Sequence, residues 1–111
     1  MKIETIRELL DAKVECGEEL LGNQVYSAFG SDMMSEVLAF VNDQPLLLTG
    51  LVNSQVIRTA EMMDIGCIVF VRSKRPTQEM IELAKDSGIV MLSTTKRMFE
   101  SCGILYGNGL S

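Results

Sequence analysis

Three short stretches carry the residues best suited to chemistry. They are Thr49-Gly50-Leu51-Val52-Asn53-Ser54, Arg72-Ser73-Lys74-Arg75-Pro76-Thr77 and Ser93-Thr94-Thr95-Lys96-Arg97. Each combines hydroxyl or amide groups with turn residues, and two are strongly basic. An anion such as a phosphate needs this mixture: hydroxyl and backbone N–H donors with positive charge beside them. Arg72, Lys74, Arg75, Lys96 and Arg97 are half of the chain's 10 Lys and Arg residues. Arg58 falls about one turn into the helix expected after the first stretch and can lean toward it. A plainer use competes with this one. Ser, Thr and Asn cap helix starts for local reasons, and basic loop residues are commonly just solvated.

Most other site chemistry is missing. The chain has no His, which removes Ser-His and Cys-His nucleophile pairs, histidine proton shuttles and the common zinc and haem sites. No GxGxxG or GxxxxGK[ST] run occurs, so the usual dinucleotide and triphosphate cradles are absent. Glu18-Glu19 and Asp64 are acidic, but no two carboxylates share helical spacing on a cleft wall, so general acid–base catalysis has no evident pair. Cys16, Cys67 and Cys102 are odd in number and lack CxxC spacing; neither a disulfide framework nor a metal site is expected. Cys67 falls in an apolar run and reads as a small hydrophobe. Met34, Met63, Met80 and Met98 fall at core-facing positions and read as filler.

Charge and length narrow the partners. The 111 residues hold 15 acidic against 10 basic side chains, a net charge of -5. Such a surface repels phosphate backbones, so no nucleic acid and no anionic membrane is expected as partner. Without Trp, and with 4 Phe and 2 Tyr, the chain offers no stacking platform for single strands. MKIETIREL lacks an apolar signal core, and runs such as Gly66 to Val71 are only strand-length. With free cysteines, this points to the cytoplasm. The length supports one core, hence one domain over residues 1–111.

The elements that must position the three stretches follow from periodicity. Ile3, Ile6 and Leu10 mark a helix over 3–11, with Thr5 and Glu8 spaced as a capping box. Residues 12–16 read as a short strand, 17–23 as a loop and 24–29 as a second strand. Gly30, Ser31 and Asp32 signal a helix start; Met34, Val37, Leu38 and Val41 form its apolar face, and it ends near Asn42 before a turn at Asp43-Gln44-Pro45. Leu46–Thr49 is an apolar strand. Asn53 and Ser54 cap a helix to Asp64, stopped by Gly66. Cys67–Val71 is a β-branched strand. A helix follows Pro76 to about Asp86, with Gly88 as its stop. Ile89–Leu92 is another apolar strand. Thr94 or Thr95 caps a last helix ending at Gly103, and Ile104-Leu105-Tyr106 is a short final strand or tail.

Strands apolar on both faces and separated by helices of about ten residues imply buried parallel pairing. The fold class is therefore α/β: a mostly parallel central sheet flanked by helices, βαβαβα in the second half, with extra strands added by the first. Parallel strands end along one edge, so the three stretches should meet there, where open α/β sheets bind ligands.

From LLLTGLVNSQVIRTAEMMDIGCIVFVRSKRPTQEMIELAKDSGIVMLST, with VYSAFGSDMMSEVLAF before it, the chain resembles the DRTGG domain family over roughly residues 12–106. The shared pattern is an apolar strand ending in a Gly-containing turn, a helix, a second apolar strand, a basic turn with Pro, a helix, and Gly-Ile-Val leading a short strand into Ser/Thr. The eponymous Asp-Arg-Thr-Gly-Gly run is absent, and Gly50-Leu51-Val52-Asn53 and Arg72-Ser73-Lys74-Arg75 stand where many members carry other turns. Ligand residues of the family therefore do not carry over at either turn. The resemblance implies a small regulatory α/β module. Relatives accompany CBS domains in regulated pyrophosphatases, precede the catalytic part of some phosphotransacetylases, or stand alone beside iron-only hydrogenase genes.

Together these readings favour a non-catalytic, ligand-sensing module without a cofactor. It would take a nucleotide or other phosphate-bearing anion through Thr49, Gly50, Asn53, Ser54, Arg72, Ser73, Lys74, Arg75, Ser93, Thr94, Thr95 and Lys96. A mean hydropathy of +0.21 is high for so small a soluble monomer and suits a homodimer. Two alternatives stand beside this one. The first is a protein-interaction or assembly subunit of a redox complex of hydrogenase type, with no small ligand. The second is a small phosphotransfer enzyme acting through the hydroxyls of 93–95 with Lys96 and Arg97.

Overall fold

Runs such as Leu46-Leu47-Leu48 and Ile68-Val69-Phe70 have no polar face, so they must be covered on both sides. The computed structural model, which describes residues 1–40 and 45–111, covers them with two helical layers. The elements run α1 (Ile3–Leu9), β1 (Lys13–Cys16), a 3-10 turn (Glu18–Leu20), β2 (Ser27–Gly30), α2 (Met34–Phe40), β3 (Pro45–Thr49), α3 (Ser54–Met62), β4 (Cys67–Phe70), α4 (Gln78–Ser87), β5 (Val90–Ser93) and α5 (Met98–Gly107). The strands lie in the order β1-β5-β4-β3-β2. β2 to β5 are parallel, and β1 joins β5 antiparallel. This is the mostly parallel α/β sheet expected, with the βαβαβα half as read.

Strand alternation sends Leu46, Leu48, Cys67, Val69, Val90 and Leu92 to one face, under α1 and α5. Leu47, Ile68, Phe70 and Met91 go to the other, under α2, α3 and α4. All residues of β3, β4 and β5 are buried, as apolar strands in a covered parallel sheet must be.

Several boundaries differ from the sequence reading, each for a local reason. α1 has no capping box. It starts at Ile3, and its first N–H groups, those of Ile3 and Glu4, bond the carbonyls of Asn23 and Leu21 at 2.9 Å. Loop carbonyls thus do the work a Thr5 side chain was expected to do. α3 stops on Asp64, whose φ of 53° takes the left-handed position assigned to Gly66. Ile65 N–H then closes onto Ala60 O at 2.9 Å. α4 ends at Gly88 as read, with φ 69°.

The last helix is displaced most. Neither Thr94 nor Thr95 caps it, because α5 begins only at Met98 with Arg97 before it; Thr94 Oγ donates to Leu10 O at 2.8 Å and accepts from Lys96 N–H at 3.2 Å ahead of the helix. It also passes through Gly103 to Gly107, so Ile104-Leu105-Tyr106 is helical, neither strand nor tail. Burial of Leu105, with Met98, Cys102 and Ile104 packed against the same cluster, outweighs the roughly 1 kcal/mol glycine penalty. The second strand begins at Ser27, because Gln24 is held by a bridge to Lys2. Val41 and the turn expected around Asn42-Asp43-Gln44 lie outside the described residues.

Candidate functional site

The parallel strands end at Gly30, Thr49, Phe70 and Ser93, and the antiparallel β1 starts at Lys13 opposite Ser93. The three stretches therefore do share one edge. Two hydrogen bonds join the second to the third: Arg72 N–H donates to Lys96 O at 2.8 Å, and Ser73 N–H to Thr94 O at 2.9 Å.

Those bonds hold an unusual backbone. Arg72 and Ser73 have φ of 59° and 61°, left-handed at two successive positions that are not glycine. Lys74 N–H closes the turn onto Val71 O at 3.2 Å. Such residues cost about 1–2 kcal/mol each relative to ordinary backbone. Strain of this kind persists only where surrounding bonds fix it, and it concentrates at functional sites.

The turn lays the half-exposed Arg72 side chain over Gly50. A Cβ at position 50 would come within 3.2 Å of the Arg72 guanidinium carbon, so the guanidinium lies this close only over a residue without a side chain. Asp32 completes the cluster. Its Oδ1 accepts from Gly50 N–H at 2.6 Å and from Thr49 Oγ at 3.1 Å, and its Oδ2 lies 3.9 Å from Arg72 Nη2. Thr49 Oγ in turn accepts from Leu51 N–H at 3.1 Å. A backbone N–H, a hydroxyl and a guanidinium thus converge on one carboxylate. The sequence reading used Asp32 only as a helix-start signal. Its place after Gly30-Ser31, at a strand's C-terminal end, was the available clue.

The other half of the edge is a depression of about 230 Å³ lined by Asp11, Lys13, Ser73, Arg75, Ser93, Thr94 and Thr95. Beneath it lies Glu15, which sequence reasoning missed entirely. Its side chain is 4% exposed. It accepts from Arg75 Nε at 3.0 Å, Arg75 Nη2 at 3.1 Å and Ser93 Oγ at 2.6 Å. Burial pushes the Glu15 carboxyl up. The hydrogen bonds from Arg75 and Ser93, with the charges of Arg75 and Lys13, outweigh that and hold it below its ordinary range.

The expected site residues therefore separate into two groups. Arg75 and Ser93 are committed to Glu15, and buried Thr94 to Leu10 O. Asn53 is the α3 cap, accepting from Gln55 N–H at 2.9 Å, and Ser54 Oγ donates to Glu79 Oε1 at 3.2 Å. These five, with buried Thr49 and Gly50 bonded to Asp32, hold the scaffold. Arg72, Ser73, Lys74, Thr95 and Lys96 remain around the opening. Among the described residues, the side chains of Ser73, Lys74 and Thr95 meet no hydrogen-bond or ion-pair partner, and Lys96 only approaches Glu100 at 3.9 Å. Arg58 is exposed on α3. Phe99, in the first turn of α5 beside Lys96 and Arg97, is 91% exposed.

Larger depressions of about 370 and 340 Å³ lie at the opposite edge, around Asp64, Gly66 and Gly88. Their lining includes Asp64 and Glu61 and no cation, which disfavours a phosphate there. Among the described residues no group of three His, Cys, Asp or Glu side chains could hold a metal ion. Burial pushes the Cys16, Cys67 and Cys102 thiols up, so none is a ready nucleophile. No helix among the described residues is long and apolar enough to cross a membrane.

No family model matches the chain, and no curated protein matches it. Among solved structures it is similar to the CBS and DRTGG domains of the regulatory region of Clostridium perfringens pyrophosphatase, solved with the activator diadenosine tetraphosphate. The TM-score is 0.74 at 17% identity, over 94% of this chain and 45% of that one. The chain thus spans under half of that structure's length, and the fold is DRTGG-like.

Proposed function

We propose that this chain is a non-catalytic regulatory module, working as a homodimer, that binds a nucleotide or other phosphate-bearing anion at the C-terminal edge of its parallel strands. The observation that carries this reading is the Arg72-Ser73 turn. Its strained backbone is pinned so that a half-exposed guanidinium lies over Gly50, with the uncommitted side chains of Ser73, Lys74 and Thr95 beside it. Cations and donors extend from Gly50 to Lys13, a layout suited to an extended anion such as a phosphate chain. The exposed Phe99 ring at the same edge offers a face on which a nucleobase can stack, which favours a nucleotide over a bare phosphate. The likeness in fold to a regulatory region that binds a dinucleoside polyphosphate supports the same class of ligand.

No residue set at this edge supplies an activated nucleophile. Ser93 and Thr94 are buried and donate their hydroxyls to Glu15 and Leu10, and the Glu15 carboxylate is itself held by Arg75. That supports binding without chemistry. Titration calorimetry of the native protein with ATP, adenosine and inorganic triphosphate tests the proposal. Binding of ATP stronger than triphosphate, with adenosine weakest, is the expected order. No binding of any of the three overturns it.

A further inference from the structure

We propose that the homodimer forms through β2, which pairs antiparallel with β2 of a second copy about a two-fold axis at Phe29. This rests on the homodimeric reading above and names the surface that serves it.

The two edges of the sheet are built differently. β1 carries Lys13 and Glu15 and breaks register between Val14 and Cys16, and charge and irregularity are what keep an exposed edge unpaired. β2, Ser27–Gly30, has no charge, no proline and an unbroken register with β3. Among the described residues no strand lies on its outer side.

Backbone alternation fixes what that side offers. Ser31 N–H donates to Leu48 O at 3.0 Å. Alternate residues of a parallel strand address the same neighbour, so Phe29 turns its N–H and C=O to β3. Ala28 and Gly30 turn theirs outward. A two-fold axis at Phe29 sets Ala28 opposite Gly30 of the partner subunit, and the reverse. All four outward N–H and C=O pairs are then satisfied within the strand itself. Phe29 meets Phe29 of the partner subunit at the position without ladder bonds, where cross-strand side chains approach most closely.

Both flanks supply apolar surface. On one face Ala28, Gly30, Cys102 and Tyr106 border a depression of about 200 Å³, and Tyr106 is 72% exposed. On the other face α2 exposes Leu38 and Phe40. Taking roughly 150–250 Å² for a whole aromatic side chain, these groups and the strand offer on the order of 600 Å² per copy. A standard interface needs about 800 Å² per partner, so the patch is of the right scale. A second copy suits it better than a charged partner. The strand is uncharged, so two acidic chains can approach here without setting like charges face to face.

Sedimentation equilibrium on the full chain at micromolar concentration tests the proposal, with Ala28→Pro and Tyr106→Glu as variants. Proline at 28 removes an outward N–H and leaves the β3 ladder whole, as edge strands tolerate. The wild type is expected to be a dimer, and both variants monomers with unchanged far-UV circular dichroism, their dimer dissociation constant raised roughly 100-fold. A monomeric wild type overturns the homodimer and this surface together. A dimeric wild type whose folded variants stay dimeric overturns the surface alone. Tyr106→Glu decides the matter if Ala28→Pro does not fold.

Discussion

Arg75 grips Glu15 with two nitrogens, Nε and Nη2, at 3.0 and 3.1 Å, and so ties the loop after β4 to the antiparallel edge strand. A cation that looks free in the sequence is thereby a structural member of the site's floor. Replacing Arg75 with Ala strands a buried carboxylate. The expected result is a lower melting temperature. Affinity for the anion is expected to change less than about twofold, since the Arg75 charge is already paired with Glu15. Thermal melts and calorimetry on the same variant check both halves.

Glu15 also predicts an acid limb. Its folded pKa lies below its unfolded value, so its contribution is fully present above the unfolded pKa of about 4.3. That contribution is lost as pH falls through the lower folded pKa. Glu15→Gln removes this dependence. Urea unfolding between about pH 6 and pH 3 should show a shallower decline for the variant than for the wild type.

The left-handed Arg72-Ser73 pair sets a third expectation. Ser73→Gly removes a Cβ from strained backbone, a gain of about 1–2 kcal/mol, against about 0.5–1 kcal/mol of added unfolded-chain entropy. The net is a stabilisation of up to about 1.5 kcal/mol. Ser73→Val should destabilise by more than that. A matched pair of denaturant curves distinguishes a strained turn from a relaxed one.

Asp32 occupies donors that an incoming phosphate would use: Gly50 N–H, Thr49 Oγ and the Arg72 guanidinium. Asp32→Asn removes a negative charge from their midst. A unit charge at such range is worth on the order of 1 kcal/mol near a solvated surface, so anion affinity should rise about fivefold or more. An unchanged dissociation constant for ATP would place the anion elsewhere on the edge.

Much of this architecture is legible in the residues. Leu46–Thr49, Cys67–Val71 and Ile89–Leu92 lack a polar face, and that alone demands buried parallel strands and puts the three stretches on one edge. Local signals failed where a long-range bond replaced them. Thr94 lies four residues before α5 begins at Met98, so its Oγ accepts from Lys96 N–H ahead of the helix while its O–H reaches Leu10, far away in the chain. Asn23 and Leu21 carbonyls cap α1 in place of Thr5. The site split for the same reason. Arg72 and Arg75 are both cations of one turn in the sequence, and only the antiparallel placement of β1 brings Glu15 under one and not the other. Asp32 likewise reaches Gly50 only because β2 lies beside β3.

The contrast between these two arginines gives the most direct test. Calorimetric titration of ATP into the wild type, Arg72→Ala and Arg75→Ala should show affinity falling roughly tenfold or more in the first variant, the scale of losing one charge-assisted hydrogen bond, and holding in the second. Equal affinities for wild type and Arg72→Ala, or a loss confined to Arg75→Ala, would contradict an anion site built on the Arg72-Ser73 turn.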